Sequence, residues 1–189
     1  MEKGKIIFLT GTSSAGKSTL ARTLQDRLTE HFYWLDYDNF IHMAVDKPGK
    51  VTDPYTFFQK GKDPVTVLFQ TIKMFSDLGI NVISEGCFFR PFPKEIKAYE
   101  FSVNFLHEYP VLSVLVTCPI EELRRREKER GNRRIGEGEQ RLADIDLNVV
   151  YDITVDTFIN TPEECADVII DLLKYPDRFS AFKTLWAQR

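Results

Sequence analysis

Lys5-Ile6-Ile7-Phe8-Leu9-Thr10-Gly11-Thr12-Ser13-Ser14-Ala15-Gly16-Lys17-Ser18 is the stretch whose reading decides the fold. Lys5 to Thr10 is near-continuously apolar, as a strand buried on both faces of a parallel sheet must be. Gly11 to Ser18 matches GxxxxGK[ST] in full. From Lys17 to about Glu30, Leu20, Leu24 and Leu28 recur at every fourth position, which marks one face of a helix. Strand, glycine-bearing loop and helix in that order form the context in which this motif binds phosphate.

The residue types explain the chemistry. Gly11 and Gly16 let the backbone turn tightly enough for successive N–H groups to converge on phosphate oxygens. The positive end of the following helix adds its dipole. Lys17 supplies a point charge for the β- and γ-phosphates, and the Ser18 hydroxyl is a ligand for Mg²⁺. Gly11, Thr12, Ser13, Ser14, Ala15, Gly16, Lys17, Ser18 and the adjoining Thr19 are therefore expected to hold ATP with Mg²⁺.

Working outward, strand-length apolar runs alternate with helical patterns, the signature of βαβ units. Tyr33 to Asp36, Ile80 to Glu85, Val111 to Thr117 and Tyr151 to Asp156 read as further strands, the last one near an edge. Asp63-Pro64 opens a helix with Pro at its first position, and Gly79 suits its end. About Lys94 to His107 reads as another helix. Thr161-Pro162-Glu163-Glu164 spells a capping box with Pro at the first helical position. The expected architecture is α/β: a three-layer α/β/α fold with a five-stranded parallel sheet, the phosphate loop after its first strand, and a small Arg-rich lid. Its active site should lie outside the carboxyl ends of the strands.

With 189 residues and no internal repeat or linker, one domain spanning 1–189 is expected, the lid falling at about 119–146. An apolar content of 43% argues against disorder. Lys+Arg 25 against Asp+Glu 28 leaves no basic excess for a nucleic-acid backbone. No apolar run approaches the ~18–20 residues that cross a bilayer. Met1-Glu2-Lys3-Gly4 runs straight into a strand, unlike a signal peptide. Cys87, Cys118 and Cys165 form no CxxC pair, so neither a disulfide framework nor a zinc site is indicated. A cytoplasmic protein follows, with no nucleic-acid or membrane partner and none of protein implied.

The acceptor of the phosphoryl group must be sought elsewhere in the chain. Asp36 and Asp38, after the second strand, point the same way if the strand persists that far. A carboxylate there can take the proton of an attacking hydroxyl, or it can simply cap the helix that follows. Glu85 ends a strand where it can meet Mg²⁺, directly or through water, or stand solvated. Phe88, Phe89, Arg90 and Phe92 follow it on the expected active face. Arg124 to Arg134 carries six arginines, with Arg126, Arg130 and Arg133 or Arg134 spaced to share a helical face. A phosphoryl-transfer site needs positive charge over the transferring group. The alternative is a solvated basic helix paired with its own acidic residues.

These residues together resemble the chloramphenicol phosphotransferase-like family of P-loop kinases. Ser13 to Ser18 is similar to its phosphate loop, and Asp38-Asn39-Phe40-Ile41 falls on a D-S-L-I segment whose aspartate is the base. Cys118, Arg126-Glu127, Arg130-Gly131, Arg133 and Gly136 repeat its lid pattern. Tyr151-Asp152, Val155-Asp156-Thr157 and Cys165-Ala166 resemble a Y-D-x-x-V-D-T…C-A segment. Glu85-Gly86 stands where the family pairs aspartates, and Asp146 where it has a histidine. Val45 to Lys62 shows no similarity. The resemblance implies an ATP-dependent O-phosphotransferase acting on a small-molecule hydroxyl acceptor. It implies Asp38 as base and catalytic roles for Lys17, Arg130 and Arg133. Arg126 joins the nucleotide site, with Ser18 and Glu85 at the metal. Two readings stay open beside it: a nucleoside or nucleotide kinase, and a nucleotide-binding regulatory ATPase.

Overall fold

The run Ile6-Ile7-Phe8-Leu9 has no exposed side on either face, which places it in the centre of a sheet with helices above and below. In the computed structural model, which describes residues 2–44, 63–86, 98–131, 135–142 and 149–189, it does. The elements are β1 (Ile6–Thr10), α1 (Lys17–Arg27), β2 (Phe32–Asp36), α2 (Tyr37–Ala44), α3 (Pro64–Asp77), β3 (Asn81–Gly86) and α4 (Ala98–Leu106). They continue with β4 (Val111–Thr117), α5 (Ile120–Arg130), α6 (Glu137–Leu142), β5 (Ile153–Asp156), α7 (Pro162–Leu173) and α8 (Ala181–Ala187). A 3₁₀ turn, Pro176–Arg178, joins the last two. The five strands are all parallel in the order β2-β3-β1-β4-β5.

Period-two alternation splits β1 between two cores. Ile7 and Leu9 pack with Leu20, Leu24, Cys165 and Ile169 on the face covered by α1 and α7. Ile6 and Phe8 pack on the opposite face with Phe69, Tyr99 and Phe182 of α3, α4 and α8. Phe8 is the hub there, with ring centroids 5.5 Å from Phe182 and 6.1 Å from Phe69. The register sets Thr10 beside Gly86, where β3 also ends, and beside Leu115, two residues before the end of β4. The site is built at that end of the strands.

The ends of the helices follow their residues. Asp63 caps α3 by accepting from the Thr66 N–H at 2.9 Å, and Gly79 follows in the left-handed region at φ 76. The capping box of α7 is formed in both directions, Glu164 N–H to Thr161 Oγ1 at 3.2 Å and Thr161 N–H to Glu164 Oε2 at 2.8 Å. One expectation needs correction. β5 begins at Ile153 rather than Tyr151. Asp152 explains this: its carboxylate takes the Ser113 N–H at 2.8 Å and, through its other oxygen, those of Ser180 and Ala181 at 2.8 and 2.9 Å. Asp152 still gives its own backbone N–H to Ser113 O at 3.0 Å, but the Ser113 N–H goes to its carboxylate, so the regular ladder starts one residue later. The helix expected from Lys94 is described from Ala98, its first residues lying outside the described ones.

α7 packs on α1, and its cap is made by the exposed Thr161, so the cap can be read through stability. Thr161→Ala should cost about 1 kcal/mol and lower the melting temperature by about 2–4 °C. Thermal unfolding by circular dichroism measures the shift.

Candidate functional site

The loop between β1 and α1 is folded by its own lysine. Lys17 Nζ donates to the Gly11 and Thr12 carbonyls at 2.8 and 2.7 Å. Ser14 at φ 63 and Gly16 at φ 93 put the chain in the left-handed region twice within three residues. Alternation of this kind turns successive amides to one concave side, an anion nest at the N-terminus of α1. Only glycine takes φ 93 without strain, and a Cβ at Gly16 would also stand 3.3 Å from Thr157 Cγ2.

Beyond the loop, β2 stops at Asp36, and α2 starts at Tyr37. The two aspartates therefore do not share a strand face. Asp36 is the cap: its Oδ1 accepts from the Asn39 N–H at 3.1 Å. Asp38 lies in the first turn of α2, not on a connection before it, and not as its cap. Both carboxylates line the cavity that the phosphate loop opens into.

Glu85 is the buried acid of the site, 5% exposed at the end of β3 and paired in register with Asp36. Ser18 Oγ donates to its Oε2 at 3.1 Å. Burial raises its pKa above the ordinary 4.5; the Lys17 charge and the Ser18 bond pull it down, and Asp36 and Asp38 push it up. A serine hydroxyl and a carboxylate side by side, next to the phosphate nest, form a hard oxygen donor pair of the kind Mg²⁺ takes together with phosphate oxygens. Among the described residues no cluster of three His, Cys, Asp or Glu side chains could hold a metal by itself. The donor pair therefore suits a cation brought in with a triphosphate.

The arginine-rich helix α5 divides its side chains. Arg124 pairs with Glu139 at 2.6 Å, and Arg125 pairs with Glu122 at 2.6 Å and with Glu129. Those contacts are exposed. Arg126 turns inward: it donates to Glu122 at 2.8 Å, to Thr157 Oγ1 at 3.0 Å, to Thr157 O at 2.9 Å and to Ser14 O at 3.4 Å. Arg125 and Arg126 hold the Glu122 carboxyl down to about 2. Arg130, one turn after Arg126, lines the cavity with it. Arg126 and Arg130 thus face the cavity, whereas Arg124 and Arg125 are surface pairs.

One cavity of ≈ 660 Å³ joins these parts. Its wall runs from Ser13, Ser14, Gly16, Lys17, Ser18 and Thr19 to Asp36, Asp38 and Glu85 on one side and to Arg126 and Arg130 on the other. Thr12 and Ala15 are buried behind the loop. Arg133, Arg134, Cys87, Asp146, Val45 to Lys62 and the Phe88–Phe92 segment with Arg90 lie outside the described residues. Thr157 and Trp34 line the same cavity without having been singled out for a role. Thr157 Oγ1 donates to Ala15 O at 2.8 Å, a tertiary bond that only its place just after β5 hinted at.

The ionised form of Glu85 carries a burial cost whenever the pH exceeds its raised pKa. Glu85→Gln removes that cost, so without metal or nucleotide it should melt higher than the unsubstituted protein at pH 8. The gap should close as pH falls toward ~4.3, where the unfolded carboxyl also protonates. Melting curves across that range test the sign.

A family model described as chloramphenicol phosphotransferase-like protein matches residues 4–174. An adenylyl-sulfate kinase of Clostridium acetobutylicum is 29% identical over 181 residues, covering 92% of this chain and 84% of that protein. A Mycobacterium tuberculosis protein to which O-phosphotransferase activity is ascribed is 30% identical over 191 residues, covering 88% and 80% of the two chains. The structure of Mycobacterium tuberculosis APS kinase in complex with AMPPNP and APS has the same fold, with a TM-score of 0.62 at 20% identity over 92% of this chain and 99% of that one. These similarities are to kinases and phosphotransferases, and a family match over most of its length means that this chain belongs to the chloramphenicol phosphotransferase-like family.

Proposed function

We propose that this protein is an ATP-dependent O-phosphotransferase that passes the γ-phosphoryl group of ATP to a hydroxyl of a small molecule. The observation that carries this reading is the convergence of the phosphate loop, Asp38, Arg126 and Arg130 on one cavity. The acceptor oxygen attacks the γ-phosphorus, the bond from that phosphorus to the β–γ bridging oxygen breaks, and ADP leaves. Asp38 takes the hydroxyl proton as the new P–O bond forms. Lys17 and the loop amides hold the β- and γ-phosphates, and Arg126 and Arg130 meet the charge on the transferring group. Ser18 and Glu85 would hold Mg²⁺, which neutralises charge across the β- and γ-oxygens when bound.

Among the described residues the acceptor end is acidic. Asp36, Asp38 and Glu85 are close enough that the first two raise the pKa of the third. A further negative charge placed there is disfavoured, so a neutral hydroxyl compound suits this end better than an anion such as adenylyl sulfate. Two arms test this. A panel of nucleosides, sugars, chloramphenicol and adenylyl sulfate is incubated with ATP and Mg²⁺, and products are weighed by mass spectrometry. Phosphorylation of a neutral member, with ADP formed in step with it, is expected. ADP formed equally fast with no acceptor would point to an ATPase instead, and phosphorylation of adenylyl sulfate would overturn the preference for a neutral acceptor.

The second arm separates the aspartates. A general base contributes roughly 10²–10⁴-fold, so Asp38→Asn should lose that much in kcat while ATP affinity holds. Asp36→Asn should act through stability or KM, since its carboxylate caps α2. The opposite pattern would exchange the two roles.

A further inference from the structure

A helix reading Ile120-Glu121-Glu122-Leu123-Arg124-Arg125-Arg126-Glu127-Lys128-Glu129-Arg130 is expected to bury its leucine and to keep its charges in water. Glu127 does otherwise: it is 1% exposed. A buried carboxylate needs partners, and those of Glu127 are backbone amides. Oε2 accepts from the Gly136 N–H at 2.6 Å and Oε1 from the Gly138 N–H at 2.7 Å.

Gly138 is held from its other side as well. Its carbonyl accepts from Thr12 Oγ1 at 2.5 Å, and Thr12 in turn offers its carbonyl to Lys17 Nζ at 2.7 Å. The packing there admits only glycine: a Cβ at 138 would stand 2.8 Å from Ser13 O and 3.0 Å from Glu127 Oε1. A continuous chain of hydrogen bonds therefore runs from Glu127 through Gly138 and Thr12 to Lys17. One residue before Glu127, Arg126 reaches Ser14 O and Thr157. One turn after it, Arg130 lines the cavity.

Resting on the reading of this cavity as the transfer site, we infer that Glu127 is a positioning residue: its buried carboxylate clamps Gly136 and Gly138 between α5 and the phosphate loop, and so fixes Arg130 against that loop. The carboxylate itself lies behind the cavity wall and touches no phosphate. It sets the distance between two groups that do different work on the same phosphoryl group, Lys17 on the loop and Arg130 on the helix. Misplacement by about 1 Å is enough to cost ~10²-fold in rate.

The test uses the full chain as Glu127→Ala, Glu127→Gln, Gly138→Ala, Arg130→Ala and the Glu127→Ala/Arg130→Ala pair. Amide hydrogen exchange reads the clamp without any turnover. Glu127→Ala should lose protection across 135–142 and in the phosphate loop while the strands keep theirs, and Glu127→Gln, which retains one acceptor oxygen, should lose less. Unchanged exchange in Glu127→Ala would overturn the clamp. Kinetics read the positioning. Glu127→Ala and Gly138→Ala should lower kcat by ~10²-fold with KM for ATP within about threefold. The double variant should be no slower than Arg130→Ala alone, because the two act as a unit. Losses that multiply instead would make Glu127 a structural residue independent of Arg130. If the unsubstituted protein transfers no phosphoryl group, the proposed function fails and the effect on Arg130 fails with it, whereas the exchange result still decides the clamp.

Discussion

The phosphate loop hangs from its carbonyl groups. Gly11 O and Thr12 O are taken by Lys17, Ser14 O by Arg126 and Ala15 O by Thr157, while Ser13 O lies against Gly138. A backbone unit has one donor side and one acceptor side, and both must be satisfied when buried. With these carbonyls held by the scaffold, the loop keeps the shape that opens its concave face at the N-terminus of α1, where an anion nest forms. The partners come from the start of α1, from α5, from the residue after β5 and from α6. Four distant parts of the sequence thus define one loop of phosphate-binding amides, and each is held in place by the loop that it defines.

The sheet supplies the opposite pole. Register pairs Asp36 with Glu85 on adjacent parallel strands, so the acids at the ends of β2 and β3 are neighbours by construction. α1 brings Ser18 to the same point, and Lys17 beside it offsets part of the burial cost of Glu85. Positive charge from α1 and α5 faces negative charge from β2, α2 and β3 across one cavity. Strand order explains why the division falls there. The chain leaves β1 for β2 at one edge and later crosses to β4 on the other side, which makes the end of β1 the switch point of the sheet.

Much of this was legible in the residues. The phosphate-loop motif sits between an apolar run and a helical period, and Asp63-Pro64 and Thr161-Pro162 start helices where local hydrogen bonding alone favours them. What escaped were side-chain directions set by tertiary partners. The resemblance singled out Asp38, but only the end of β2 between the two aspartates shows that Asp36 is the cap of α2, although both line the cavity. Arg125 and Arg126 look alike in a charged helix, yet one pairs on the surface and the other reaches the loop. Thr157 and Glu127 have no local periodicity to mark them, because their partners lie at residue 15 and at residues 136 and 138. Tyr151 and Asp152 continue the alternation of β5 without belonging to it, since Asp152 spends its carboxylate on amides of β4 and α8.

The burial of Glu127 and that of Glu85 obey the same rule in two forms. Both are nearly inaccessible carboxylates within a few residues of the phosphate loop, where the Lys17 charge alone cannot satisfy four oxygens. Glu127 is satisfied within the chain, by two backbone N–H groups whose geometry is set once the protein has folded. Glu85 has one hydroxyl donor, and its burial leaves it with a raised pKa, so it gains from any cation delivered to its open side. The first arrangement suits a group that must not move, the second a group whose partner must come and go with each nucleotide. Two buried glutamates beside one loop thus differ in their donors: two backbone N–H groups for Glu127 and, among the described residues, the Ser18 hydroxyl for Glu85, the carboxylate proposed to meet Mg²⁺.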